Sequence, residues 1–355
     1  MPASPNPAPV YIVTGGAGFV GSNLVAELYR REPGAHVYVV DDFRTGSYAN
    51  IVDACDRAEV GPFRGSVLAD GIGDLNWQPA VEGLQPRAVF HLAAITDTLE
   101  HDEKKMFAGN TEPFGDILEA CASAEVPLVY ASSAATYGTP AQSESKTPFP
   151  EDAAGRPQNV YGFSKWLMDV ETERWFKRCD AEGEARPHVV GLRYFNVFGP
   201  GEAQKGKMAS MVWNLTNQIL DGGRPRLFRS GEHERDQVYV DDVVACTIAG
   251  SVPGITPGVY NCGSGRTTSF NQIVEAINEA LGCSVEPEYF DMPEAMRGTY
   301  QHYTCADMSA AAEGLNHRPS WSPMDAMMRY ARHIACERRE AGLPIKIDAA
   351  QGASA

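Results

Sequence analysis

The sequence predicts an α/β protein: a doubly wound parallel sheet with helices on both faces, followed by a smaller α/β lobe. Three observations carry this expectation. Apolar runs of strand length recur through the first part of the chain, at Val10-Tyr11-Ile12-Val13, His36-Val37-Tyr38-Val39-Val40, Ala88-Val89-Phe90-His91-Leu92-Ala93-Ala94 and Val126-Pro127-Leu128-Val129-Tyr130. Segments of helical spacing separate them, as around Phe114 to Cys121, and strands alternating with helices form a parallel sheet covered on both sides. The third is a glycine-rich turn, Thr14-Gly15-Gly16-Ala17-Gly18-Phe19-Val20-Gly21, which joins the first run to a stretch where Leu24, Val25 and Leu28 recur at helical spacing. It reads as strand, turn and helix.

Taken in order, residues 1–9 (Met1-Pro2-Ala3-Ser4-Pro5-Asn6-Pro7-Ala8-Pro9) have neither a basic end nor an apolar stretch, so a disordered arm is expected there and not a signal peptide. The expected location is the cytoplasm. Residues 10–198 are expected to form the large domain and residues 199–342 mainly the lobe. Gly199-Pro200-Gly201 and Asp221-Gly222-Gly223 are breakers, with an amphipathic helix from Met208 to Leu220 between them. Two later runs, His188-Val189-Val190-Gly191-Leu192-Arg193-Tyr194 and Gln237-Val238-Tyr239-Val240, can return to the large sheet, the second bringing residues 236–252 with it. Met324, Met327, Met328, Ala331 and Ala335 share one stripe of a final helix, a core-packing pattern. Residues 343–355 are expected as a disordered tail.

Composition narrows the function classes. A chain of 355 residues, 43% hydrophobic and 21% charged, can bury an enzyme-sized core, and no apolar run approaches the roughly 20 residues of a membrane helix. Eight cysteines are scattered with no C-x-x-C spacing, which argues against zinc or iron–sulfur sites; no metal is expected. A net charge of −16 leaves no footprint for nucleic acid or an anionic membrane. An anionic substrate would have to be held by a few local cations.

The glycine turn has the spacing and the context of a dinucleotide site. Gly15, Gly18 and Gly21 permit a tight turn and close approach of backbone N–H groups to a pyrophosphate, and the helix opened by Phe19 and Val20 attracts the anion. Asp41, 20 residues past Gly21 at the end of the second run and followed by Asp42, can accept hydrogen bonds from an adenosine ribose, which favours NAD. Arg44 can offset that charge and admit NADP. Further on, Tyr161 and Lys165 stand four apart behind a Ser132-Ser133 pair. On a helix this puts phenol and ammonium on one face, where the cation can lower the tyrosine pKa so that it exchanges a proton with a sugar hydroxyl while a nicotinamide moves hydride.

Together these motifs resemble the extended short-chain dehydrogenase/reductase family, whose large domain has the Rossmann fold. Within it the resemblance is to the ADP-L-glycero-D-manno-heptose 6-epimerases, from about residue 10 to about 335. It is carried by Tyr130-Ala131-Ser132-Ser133-Ala134-Ala135-Thr136-Tyr137-Gly138, Arg193-Tyr194-Phe195-Asn196-Val197-Phe198-Gly199-Pro200, Lys205-Gly206-Lys207-Met208-Ala209-Ser210 and Tyr300-Gln301-His302-Tyr303-Thr304. The resemblance implies that Tyr161 is a catalytic acid/base, Lys165 its partner and a nicotinamide-ribose ligand, Ser133 a hydrogen-bond partner of the reacting oxygen, and Lys205 a second acid/base. It makes Leu92, Ala93, Ala94, Asn110 and Val197 cofactor contacts, and Asn196, Lys207, Asn214 and Phe228 substrate contacts. Arg235 and Tyr300 would hold the nucleotide diphosphate.

Four places depart from that pattern: Lys207 where a serine is usual, Asn214 where a histidine is, Tyr48 where a lysine is, and Ala93-Ala94-Ile95-Thr96-Asp97-Thr98 in place of a segment rich in serine and threonine. The implied activity is epimerisation of an ADP-heptose at C6 by transient oxidation, with NADP or NAD tightly bound and not consumed, in a homo-oligomer. The alternatives are a UDP-hexose 4-epimerase or other nucleotide-sugar short-chain dehydrogenase, and a dinucleotide-binding sensor without turnover. Ala134-Ala135 stands where a dehydratase has an acidic pair.

Overall fold

The computed structural model describes residues 8–294 and 301–347. Its strands are β1 (Val10–Thr14), β2 (His36–Val40), β3 (Ser66–Leu68), β4 (Ala88–His91), β5 (Leu128–Ser133), β6 (Val189–Tyr194), β7 (Asn196–Phe198), β8 (Arg226–Phe228), β9 (Glu234–Tyr239), β10 (Gly258–Cys262), β11 (Thr267–Ser269) and β12 (Glu288–Phe290). Seven form one parallel sheet in the order β10-β6-β5-β4-β1-β2-β3. This is the expected doubly wound, Rossmann-like α/β fold.

The strands read as continuous apolar runs because both faces are covered. Tyr11, Val13, Val37, Val39, Ala88, Phe90 and Val190 belong to one buried cluster. Their neighbours Ile12, Val40, Val89, Leu128 and Val189 belong to the other, the period of two expected of a strand between two layers. Helices Phe19–Arg31, Tyr48–Arg57 and Val240–Ala249 cover the first face, while Trp77–Leu84, Glu112–Ser123 and Val160–Glu182 cover the second. The winding reverses between β1 and β4, so the loops after these strands diverge and leave a crevice at the carboxyl ends.

The later chain differs in detail from the expectation. β6 joins the large sheet, but β9 does not: it pairs with β7 and β11 in a small sheet. The returning strand is instead β10, beside β6. The amphipathic helix begins at Met211, capped by Ser210, after a kink at Gly206. In the final helix, Pro323–Glu340, Met327, Ala331 and Ala335 are buried in the first cluster and Met324 and Met328 pack on its edge. Packing continues past residue 342: Lys346 N–H donates to the Leu220 carbonyl, 2.8 Å, and Ile345 and Ile347 lie against the core. Residues 1–7 and 348–355, and Tyr300, lie outside the described residues. Among the described residues no helix is long and apolar enough to cross a membrane, and no cluster of three or more His, Cys, Asp or Glu is placed to hold a metal ion.

Candidate active site

The glycine turn lies where β1 and β4 part. Gly15 has φ +68°, and a Cβ there would meet the Ala93 nitrogen at 2.7 Å; a Cβ on Gly21 would meet the Gly15 carbonyl oxygen at 2.1 Å. Neither position admits a side chain, so the backbone itself forms the wall. Thr14 Oγ accepts from the Leu92 and Ala93 N–H groups, both at 3.1 Å, and pairs with His91 Nδ1 at 2.9 Å, tying the two strand ends together. His91 is fully buried, and burial pushes its pKa down to about 3, so it is neutral.

Asp41 also braces the turn: its carboxylate accepts from Ala17 N–H and Phe43 N–H, each 2.9 Å. Burial raises its pKa while these donors oppose the rise. Beside it, Asp42 receives both the backbone N–H and the guanidinium of Arg44, at 3.0 and 2.6 Å. Tyr48 is exposed, edge-on to Phe63.

A cavity of about 820 Å³ opens along these strand ends. The structure brings to its wall Gly15, Gly18, Phe19, Val20, Gly21, Asp41, Asp42 and Arg44, then Leu92, Ala93 and Ala94, then Ser133, Tyr161 and Lys165, and finally Asn196, Val197, Lys205 and Arg235. Three other expected residues are placed elsewhere. Asn110 is fully buried behind the wall, where its amide holds Ile95 by N–H and carbonyl, 2.7 and 3.0 Å, and donates to Ser164 Oγ, 3.0 Å. It supports the wall and the helix carrying Tyr161 instead of lining the cavity. Asn214 turns back to the Ala209 and Ser210 carbonyls, 2.9 and 3.1 Å, and Phe228 packs on Phe290 with ring centroids 5.0 Å apart. Lys207 lies in the short helical turn Ala203–Met208 of loop 199–210.

The phenol is placed by the start of helix Val160–Glu182. Asn159 caps it, accepting from Gly162 N–H at 2.7 Å, and a Cβ on Gly162 would meet the Ala135 carbonyl at 2.6 Å, so the helix presses directly on the turn after Ser133. Tyr161 and Ser133 line the cavity together. Burial raises the Tyr161 pKa and the Ser133 hydroxyl opposes the rise, so burial outweighs the lowering expected from Lys165. Lys165 is itself buried, which lowers its pKa to about 8, opposed by Asp169. Asp169 in turn accepts from Arg193 Nε, 2.9 Å, and Tyr130 OH, 3.0 Å, a buried hub linking the helix to β5 and β6.

Lys205 comes from a separate segment, loop 199–210. Its Nζ lies 5.6 Å from the Phe19 ring centroid, and burial lowers its pKa, opposed by Glu202. Arg235, on β9, donates to the Glu234 carbonyl at 2.9 Å and to the Gln301 carbonyl, with its guanidinium 6.0 Å from the Phe270 ring centroid. Glu202, Gln204 and Phe270 were not singled out in the sequence and Ser132 was given no role of its own; Ser132, Gln204 and Phe270 line the cavity. For Glu202 the available signal was a lone acid between two glycine breakers and the Ser210 cap.

These residues suit a nicotinamide dinucleotide. Two glycines form a cradle that any Cβ would fill, the N-terminus of Phe19–Arg31 faces it, and Ser132 Oγ is buried on the wall with no hydrogen-bond partner among the described residues. The model of the NAD dependent epimerase/dehydratase family matches residues 11–263, and the chain belongs to that family. Among solved structures, the ADP-L-glycero-D-manno-heptose-6-epimerase of Helicobacter pylori is 31% identical, covering 93% of this chain and 97% of that one with a TM-score of 0.78. The UDP-glucose 4-epimerase of Thermotoga maritima, solved with UDP-glucose, is 27% identical over 92% of this chain and 99% of that one, TM-score 0.77. MoeE5, solved with UDP-glucose and NAD, is 26% identical over 93% and 99%, TM-score 0.71. The resemblance read from the sequence is thus borne out at the level of nucleotide-sugar epimerases.

Proposed function

We propose that this chain interconverts ADP-D-glycero-D-manno-heptose and ADP-L-glycero-D-manno-heptose at C6, acting as a homo-oligomer in the cytoplasm. The observation that carries the reading is that one cavity is lined by two ionisable side chains from separate elements: Tyr161, with Ser133 and Lys165, and Lys205 from the loop. The likeness to the Helicobacter pylori enzyme over nearly the whole chain supports the sugar.

A nicotinamide dinucleotide, NAD or NADP, supplies reversible hydride removal from a sugar carbon. Residues 10–198 hold it, through the glycine turn, Asp41 and the Leu92 to Ala94 backbone, with Asn110 fixing the wall from behind. Tyr161 takes the hydroxyl proton, Ser133 hydrogen-bonds the reacting oxygen, and the Lys165 cation stabilises the phenolate. Once the sugar has turned, Lys205 serves the same oxygen from the loop side. Asn196 and Lys207 contact the sugar, and Arg235, with Tyr300, binds the diphosphate, for which a guanidinium is well shaped.

Proton NMR of ADP-D-glycero-D-manno-heptose incubated with the protein tests this, with inversion at C6 as the expected result. If the heptose is untouched while UDP-glucose and UDP-galactose interconvert, the 4-epimerase reading replaces it. The likeness to the Thermotoga maritima enzyme favours that second reading.

A further inference from the structure

Glu202 is fully buried, whereas Lys205 of the same loop lines the cavity. Its carboxylate accepts from three donors: Gly199 N–H at 3.2 Å, Ser210 Oγ at 2.8 Å and Ser210 N–H. These are the two ends of the loop. Its carbonyl accepts from Lys205 N–H at 2.9 Å, and Ser210 Oγ in turn accepts from Trp213 N–H at 3.2 Å, so the same hydroxyl caps the next helix. A third fastening, Asn23 Nδ2 to the Pro200 carbonyl at 2.9 Å, holds the loop to the helix behind the glycine turn.

We propose that Glu202 is a positioning residue: its carboxylate closes loop 199–210 and is the countercharge that keeps the Lys205 ammonium within the cavity. This rests on reading Lys205 as the second proton-transfer group. The Phe19 ring centroid lies 5.6 Å from Lys205 Nζ, and the charge of Glu202, three residues earlier on the loop, acts to raise the Lys205 pKa. Glu202 is faced by Ser210, Gly199, Lys205 and, from helix Pro323–Glu340, the Tyr330 phenol, which also feels Glu337 and Tyr239. An acid/base lysine works best with a pKa near the working pH. Burial drives that of Lys205 down and Glu202 holds it up, so removing the carboxylate would move the lysine further toward the neutral amine.

The test measures Lys205 protonation directly, from the pH dependence of its acylation by trace acetic anhydride read by peptide mass spectrometry, alongside kcat and KM. In Glu202→Gln, Lys205 titrates at lower pH than in wild type, the alkaline limb of kcat moves the same way, and kcat falls by more than KM changes. Glu202→Asp keeps the charge and leaves the titration near wild type, as does Ser210→Ala, which loosens the loop without altering charge. Coincident Lys205 titrations in wild type and Glu202→Gln, or an equal displacement in Ser210→Ala, overturn the proposal. Should Glu202→Gln not fold, a Glu202→Asp protein whose Lys205 titrates well below wild type overturns it equally. Failure of the underlying reading is distinct: Lys205→Met would then turn over normally, whatever the acylation profiles show.

Discussion

At the scale of single residues, the site combines two buried or half-buried amines with one phenol, and each answers to its own surroundings. Tyr161→Phe removes the ionisable oxygen, and Lys205→Met removes the amine while keeping the stem. Each is expected to lower kcat by about 100- to 10,000-fold with the fold and nucleotide binding retained, as circular dichroism and cofactor titration would show. Near-normal turnover in Lys205→Met would return that lysine to an ordinary loop role. Lys165 offers a pH test whose sign can be worked out. Its folded pKa is about 8, below its ordinary value of 10.5, so between these two pH values the unfolded chain binds the proton that the folded one has lost. Stability from this group therefore rises with pH across that window, by about 1.4 kcal/mol per pH unit, from a penalty fully present below pH 8. Urea melts of wild type and Lys165→Met at pH 7.5 and 10 should show the wild type gaining relative to the variant. A constant difference would mean that Lys165 is not held in that environment. The Tyr161-to-Lys165 spacing was legible because it needs only a helix. The raised Tyr161 pKa was not, since burial is a property of the closed cavity.

At the scale of elements, helix Val160–Glu182 is registered by a buried ion pair as well as by apolar packing. Asp169 and Arg193 are 0% and 2% exposed in their side chains, at 2.9 Å, and Arg193 also donates to the Glu151 carbonyl at 2.6 Å. Asp169→Ala leaves the guanidinium buried without its anion, for which about 3–5 kcal/mol of destabilisation is expected, read from the urea midpoint. A loss under about 1 kcal/mol would indicate that water reaches Arg193. Neither residue was singled out from the sequence, because a pairing across 24 positions leaves no periodic trace. The same applies to β10, a five-residue strand whose place beside β6 depends on everything folded between them.

For the molecule as a whole, the cavity is walled by the large sheet on one side and by loop 199–210 and β9 on the other, so a dinucleotide in it contacts both parts of the chain and should be held tightly. We expect protein purified without added cofactor to release a nicotinamide dinucleotide on denaturation, identified by mass spectrometry. NAD should exceed NADP, because Arg44, the one arginine at that end of the cavity among the described residues, is already engaged by Asp42 and the acids Asp41 and Asp70 line the same region. Release of NADP alone would show that Arg44 leaves Asp42 for a 2′-phosphate. What the sequence by itself determined was the local machinery: the strand, glycine turn and helix, the parallel sheet, and the Ser133, Tyr161 and Lys165 set. The strand, turn, helix and Tyr161-to-Lys165 spacing follow from steric limits or periodicities spanning a few residues, which any segment carries wherever it sits, and Ser133 from the family resemblance. Tertiary structure alone decided that Asn110, Asn214 and Phe228 stand off the cavity wall, that β9 belongs to a small sheet, and that Glu202 is buried between the ends of its loop. Those outcomes depend on which distant segments meet, and so on burial and hydrogen-bond partners that only the closed fold supplies.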